Sequence, residues 1–317
     1  MNHLERALDH QNEWWKYLIV FVIGFLAANV IGAIPLIIVI VAKTVESGGD
    51  IQPNPGNMAD LSVYGISGNL GLFLLILPFL FGLLAMIPMF KILHKRHLKE
   101  IINGTMSVRW GRFFFSAAIW GIIMLASLLL GLALDPENFK LQFDPNSFFI
   151  LILISLVFIP FQTTYEEVVF RGYFAQAVGA WTKNRWLVIL IPSILFGLMH
   201  IMNPEVEEYG ILLMLPQYIS VGLILGIAAT LDDGIETAMG LHAINNIFLS
   251  IFLTSKSSVL QTPAMFEQLN IEPVTDLIML WVFGAIYLLI MGYKYKWKFG
   301  MLNQKVEKEE GVLGLAD

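Results

Sequence analysis

Glu166 and Glu167 stand side by side in the run Phe158-Ile-Pro-Phe-Gln-Thr-Thr-Tyr165-Glu166-Glu167-Val-Val-Phe170-Arg171, among residues that are mostly apolar. On a helix, Glu167 and Arg171 are four apart and share a face, whereas Glu166 points about 100° away from Glu167. One carboxylate can then be neutralised by arginine while the other looks into a cavity. That division suits a site that needs a structural ion pair and a free carboxylate able to act as a general base. The plainer reading of the same trio is an ion pair that ties two helices together.

Two more polar positions interrupt apolar runs. His200 closes Phe196-Gly-Leu-Met-His200, and Gly240-Leu-His242-Ala-Ile-Asn245-Asn246 places His242 and Asn246 on one helical face. An asparagine there can orient an imidazole or donate to a developing oxyanion. Each of these residues alone reads equally well as a hydrogen-bonding strut or as polar glue between helices. His3, His10, His94 and His97 lie in polar segments, which leaves two histidines within the apolar runs. The chain has no cysteine, so disulfides, a thiolate nucleophile and Cys-ligated zinc are excluded.

The elements that must carry these residues read as membrane helices. Apolar residues make up 57% of the 317 and charged residues only 14%, against about 25% charged in soluble domains. Several runs are long enough to cross a hydrocarbon core of about 30 Å. Eight spans are expected: Tyr17–Ala42, Leu70–Phe90, Phe113–Leu134, Phe148 to beyond Thr164, Leu187–Met202, Ile211–Leu231, Leu241–Thr254 and Leu277–Tyr293. The fold class is therefore all-α, a polytopic membrane helix bundle. If both ends are cytoplasmic, 16 of the 19 basic residues fall on the inner side and only Lys43, Lys140 and Lys256 outside, as the positive-inside rule requires. The expected compartment is the cell (inner) membrane, multi-pass, and the first span reads as a retained anchor.

Three parts follow along the chain. Residues 1–112 form a helix pair with a basic connector, residues 113–293 a six-span body, and residues 294–317 a solvated cytoplasmic tail. Lys43–Asn69 is an outer loop. Within it, Gly65-Ile66-Ser67-Gly68 matches a short serine-nucleophile pattern, read as chance in a chain of 26 glycines. No internal repeat is evident, which counts against a secondary transporter.

Taken in order, Glu166-Glu167-x-x-x-Arg171, Phe196-x-x-x-His200 and His242-x-x-x-Asn246 resemble the motifs of the CPBP family, the CaaX-protease and bacteriocin-processing intramembrane proteases also called Abi-like. The match covers residues 148–254. The resemblance implies an intramembrane endopeptidase acting on membrane-associated substrates of the prenylated or leader-peptide kind. Its partners would be the lipid bilayer and a peptide or protein substrate, with no nucleic acid. Glu166 with His200 would activate water, His242 with Asn246 would stabilise the oxyanion, and Glu167 with Arg171 would support them. It equally implies a second arrangement, in which Glu166, His200 and His242 hold one zinc ion with an open position for water. The rival class is non-enzymatic: a scaffold or immunity protein, or a proton-coupled carrier using the same Glu/His cluster.

Geometry sets one demand. Glu166 lies about 27 Å along a helix begun at Phe148, whereas His200 lies about 20 Å up the next. For the two to meet, the fourth helix must run long and tilted toward Ala180, with Pro160 as its kink. The cavity is expected to open on the inner side.

Overall fold

A computed structural model describes residues 3–9, 11–49 and 60–308. The centre of the expected outer loop and the last nine residues of the tail lie outside the described residues. The long helices are α1 (Trp14–Glu46), α2 (Gly68–His94), α3 (Trp110–Leu134), α4 (Pro145–Thr182), α5 (Arg185–Leu198), α6 (Ile211–Leu231), α7 (Glu236–Phe252) and α8 (Pro273–Tyr295). Six of them are long and apolar enough to cross a membrane. The exceptions are α5 and α7, where the fifth and seventh spans were expected. They have 14 and 17 residues and are shorter than the six that qualify by length and composition.

The demanded long helix is present as α4, an unbroken 38 residues. Pro145 opens it at a position where a missing N–H costs nothing, and Asp144 caps it by accepting from Ser147 N at 2.9 Å. Its first half turns one face outward, with Phe149 67% and Leu153 65% exposed, and buries the other through Phe148, Leu151 and Ile159. Its second half passes through the middle of the bundle, so Tyr165 to Tyr173 are all buried. Residues 168–174 adopt π-helical bonding. Such turns are rare and concentrate at functional sites.

Without water to drive helices together, membrane bundles rely on close packing at small residues. A Cβ built on Gly240 of α7 would lie 2.2 Å from the Phe113 carbonyl oxygen of α3. On Gly222 of α6 it would lie 2.9 Å from Ser193 Cβ of α5. The neighbour at Gly240 is backbone and has no rotamer to yield. Gly240→Ala is therefore expected to cost at least ~1–3 kcal/mol, read as a lowered unfolding midpoint in detergent. Gly300→Ala, where a Cβ meets nothing within 4 Å, is the silent control.

Both described ends of the chain sit at one end of the bundle. Lys308 Nζ lies 2.6 Å from Asp9, and Val306 N donates to Lys183 O at 2.9 Å. At the same end Arg109 pairs with both Asp232 and Glu236, and Arg112 pairs with Asp232. The far end carries a small sheet of β1 (Phe139–Leu141), β2 (Leu253–Thr254) and β3 (Phe266–Gln268) in the order β1-β3-β2. There β3 runs antiparallel to β1 and parallel to β2. Ser67, of the serine-nucleophile pattern, caps α2 by accepting from Leu70 N at 3.4 Å.

Candidate active site

Four ionisable side chains meet where the buried half of α4 packs on α7. Arg171 Nη1 donates to Glu167 Oε1 at 2.8 Å, and His242 Nδ1 donates to the same oxygen at 2.7 Å. On its other edge, His242 Nε2 lies 3.5 Å from Glu166 Oε2. Glu167 is 0% exposed, Arg171 2%, His242 5% and Glu166 8%. A carboxylate only accepts, so the bond to Glu167 fixes the Nδ1–H tautomer of His242. The 3.5 Å from Nε2 to Glu166 Oε2 is longer than a good hydrogen bond, and Oε2 has no hydrogen-bond partner among the described residues. The Arg171–Glu167 pair balances its own charge, which matters because an unpaired buried ion costs several kcal/mol.

Arg171 is fixed from three further directions. Its Nη2 donates to Gly222 O at 3.2 Å, its guanidinium lies 4.4 Å from the centre of the Phe196 ring, and its carbonyl bonds His3 Nε2 at 3.0 Å. The close contact at Gly222 thus brings an α6 carbonyl within reach of α4.

Glu166 has a second set of neighbours. Gln162 Nε2 donates to Glu166 Oε1 at 2.6 Å, and Asn246 Nδ2 donates to Gln162 Oε1 at 3.1 Å. Asn246 is therefore joined to Glu166 through one glutamine, and half of its amide N–H capacity remains free.

His200 follows α5 in a turn. Its Nδ1 bonds Phe196 O at 2.7 Å, and its ring stacks on Tyr218 with centroids 4.7 Å apart. Asn203 Nδ2 donates to the Tyr218 hydroxyl, which donates to Glu205 Oε2 at 3.3 Å. Burial raises the Glu205 carboxyl above its ordinary range, against the pull of the Val259 N–H it accepts at 2.9 Å. Among the described residues no hydrogen bond or ion pair joins His200 to Glu166 or His242. Instead the Phe196 ring lies against both imidazoles, 4.5 Å from His200 and 5.9 Å from His242.

The expected residues thus divide. Glu166, Glu167, Arg171, His242 and Asn246 are brought together, with Arg171 against Glu167 as the helical spacing required. His200 is joined to this group by no hydrogen bond or ion pair among the described residues and meets it through the Phe196 ring. Among the described residues no three His, Asp or Glu side chains are grouped so as to hold a metal ion. Gln162 is a functional candidate that sequence reading passed over. It sits one helical turn before Glu166, and that spacing was the signal.

Residues 145–248 match the family model described as type II CAAX prenyl endopeptidase Rce1-like. The resemblance read from the motifs holds over that segment. The chain is also similar to the uncharacterized protein YyaK of Bacillus subtilis (strain 168), with 29% identity over 279 residues, covering 87% of this chain and 90% of that protein. No solved structure matches.

Proposed function

From the premise that residues 145–248 carry an Rce1-like core, we propose that this chain is a CAAX-type intramembrane endopeptidase that hydrolyses membrane-associated peptides of the prenylated or leader kind. Glu166 takes a proton through Oε2 as a water oxygen attacks the scissile carbonyl. The free N–H of Asn246, with protonated His242, faces the oxyanion that forms. When the C–N bond breaks, the proton held at Glu166 passes to the leaving amine, and the carboxylate is restored. Glu167 holds His242 in one tautomer, in the manner of the carboxylate of a Ser-His-Asp triad, and Arg171 neutralises Glu167. His200, with Nδ1 committed and Nε2 free to accept, lines the approach on the other side of Phe196.

One observation carries this reading: Arg171, Glu167, His242 and Glu166 stand in a row, all buried in the middle of a largely apolar helix bundle. Ionisable groups at such depth are costly and mark function. The end of the bundle that holds both described termini is read as cytoplasmic, because most of the basic residues gather there. The test is purified protein in proteoliposomes with a panel of fluorogenic membrane peptides, including a farnesylated CAAX peptide and leader-type peptides. Cleavage by the wild-type protein that is absent from Glu166→Gln is expected. A carrier or scaffold would cleave none of the panel, and wild type would match the variant.

A further inference from the structure

The hydrogen bonds around Glu166 continue beyond Gln162 and have a direction. Trp120 Nε1, on α3, donates to Asn245 Oδ1 at 3.1 Å, and Asn245 Nδ2 donates to Asn246 Oδ1 at 3.1 Å. Asn246 then donates to Gln162 at 3.1 Å, and Gln162 to Glu166 Oε1 at 2.6 Å. Amide oxygen and nitrogen can be exchanged by a simple flip, so the polarity of such a chain needs an anchor. An indole N–H is donor only. It therefore forces Asn245 to present its oxygen to Trp120 and its nitrogen to Asn246, and each later amide follows. The last N–H arrives at Glu166 Oε1, which must accept. Any proton that Glu166 carries is left to Oε2, the oxygen facing His242.

We propose that Trp120, Asn245 and Gln162 are positioning residues: the indole sets the polarity of a four-donor chain that reserves Oε2 of Glu166 for proton transfer. This rests on the peptidase reading given above and adds to it a residue outside the matched segment, since Trp120 belongs to α3. Trp120 is 4% exposed and Gln162 8%, so the two ends of the chain are shielded from water, while Asn245 and Asn246 between them are half-buried. A chain of aligned donors also polarises each successive bond, which concentrates the effect on the carboxylate at its end. Trp120, Asn245 and Gln162 are given no contact with substrate, so their loss is expected in kcat rather than KM.

The experiment is a double-mutant cycle. Trp120→Phe keeps an aromatic ring and deletes the N–H, and Gln162→Leu cuts the last link. Each is expected to lower kcat about tenfold, the worth of one hydrogen bond to a charged group, with KM and unfolding midpoint nearly unchanged. Because both act through one path, the double variant is expected to be no slower than Gln162→Leu alone. Losses that multiply, or an unchanged kcat in Trp120→Phe, overturn the proposal. A readout independent of turnover separates this failure from that of the peptidase reading. In protein labelled with 15N-tryptophan, the Trp120 indole resonance, assigned by its disappearance in Trp120→Phe, is expected to shift in Gln162→Leu. No shift overturns the chain even in an active enzyme, whereas a shift in a protein that cleaves nothing sustains the chain and removes the peptidase reading.

Discussion

Glu167→Gln is expected to lose both activity and fold. The residue is fully buried and its Oε1 serves Arg171 and His242 together. A glutamine oxygen can still accept one of these bonds, but it brings no charge to oppose the guanidinium. Arg171, 2% exposed, would keep only the Gly222 carbonyl and the Phe196 face, and breaking a buried pair by removing one partner costs ~3–5 kcal/mol. His242 would also lose the acceptor that fixes its tautomer. Low yield from membranes, a lowered unfolding midpoint and no cleavage should therefore appear together. Equal stability of the variant and wild type would show that Glu167 does not hold the site.

Glu166→Gln separates chemistry from fold. A glutamine at this position can accept from Gln162 through its oxygen and donate to His242 Nε2 through its nitrogen, so both neighbours stay satisfied and stability should hold. What it lacks is basicity. Loss of a general base typically costs ~10²–10⁴-fold, and turnover should fall by at least the lower figure in protein that melts like wild type. Near-normal cleavage in a folded Glu166→Gln protein would remove Glu166 from the proton-transfer role.

Much of this site was legible because its grammar is local. Glu167 and Arg171 are joined by helical spacing alone, and the ordered motifs on apolar runs named the remaining members. What the sequence did not carry is rotational phase between helices. The depth at which His242 meets the two glutamates depends on how closely α7 approaches its neighbours, and at Gly240 that distance is set by a backbone oxygen 2.2 Å from an absent Cβ. The π-helical turn after Glu167 has no marker in composition and shifts the rotational phase of the residues beyond it. His3 was read as part of a polar tail, yet it is 1% exposed and bonds the Arg171 carbonyl, a partner 168 positions away. An apolar window records that a segment avoids water, and α5 and α7 avoid it partly by packing against other helices.

The brevity of α5 bears on the lipid as well. Its 14 residues rise about 21 Å, whereas a typical hydrocarbon core is about 30 Å thick. Its two ends cannot both reach the headgroups of an undeformed bilayer. A shortfall of this kind is met by local thinning of the membrane or by polar groups lying below its surface, and here the turn after α5 carries His200, Asn203 and Glu205. In a bilayer of that thickness, a thinned patch at His200 would shorten the distance that water must travel toward Glu166.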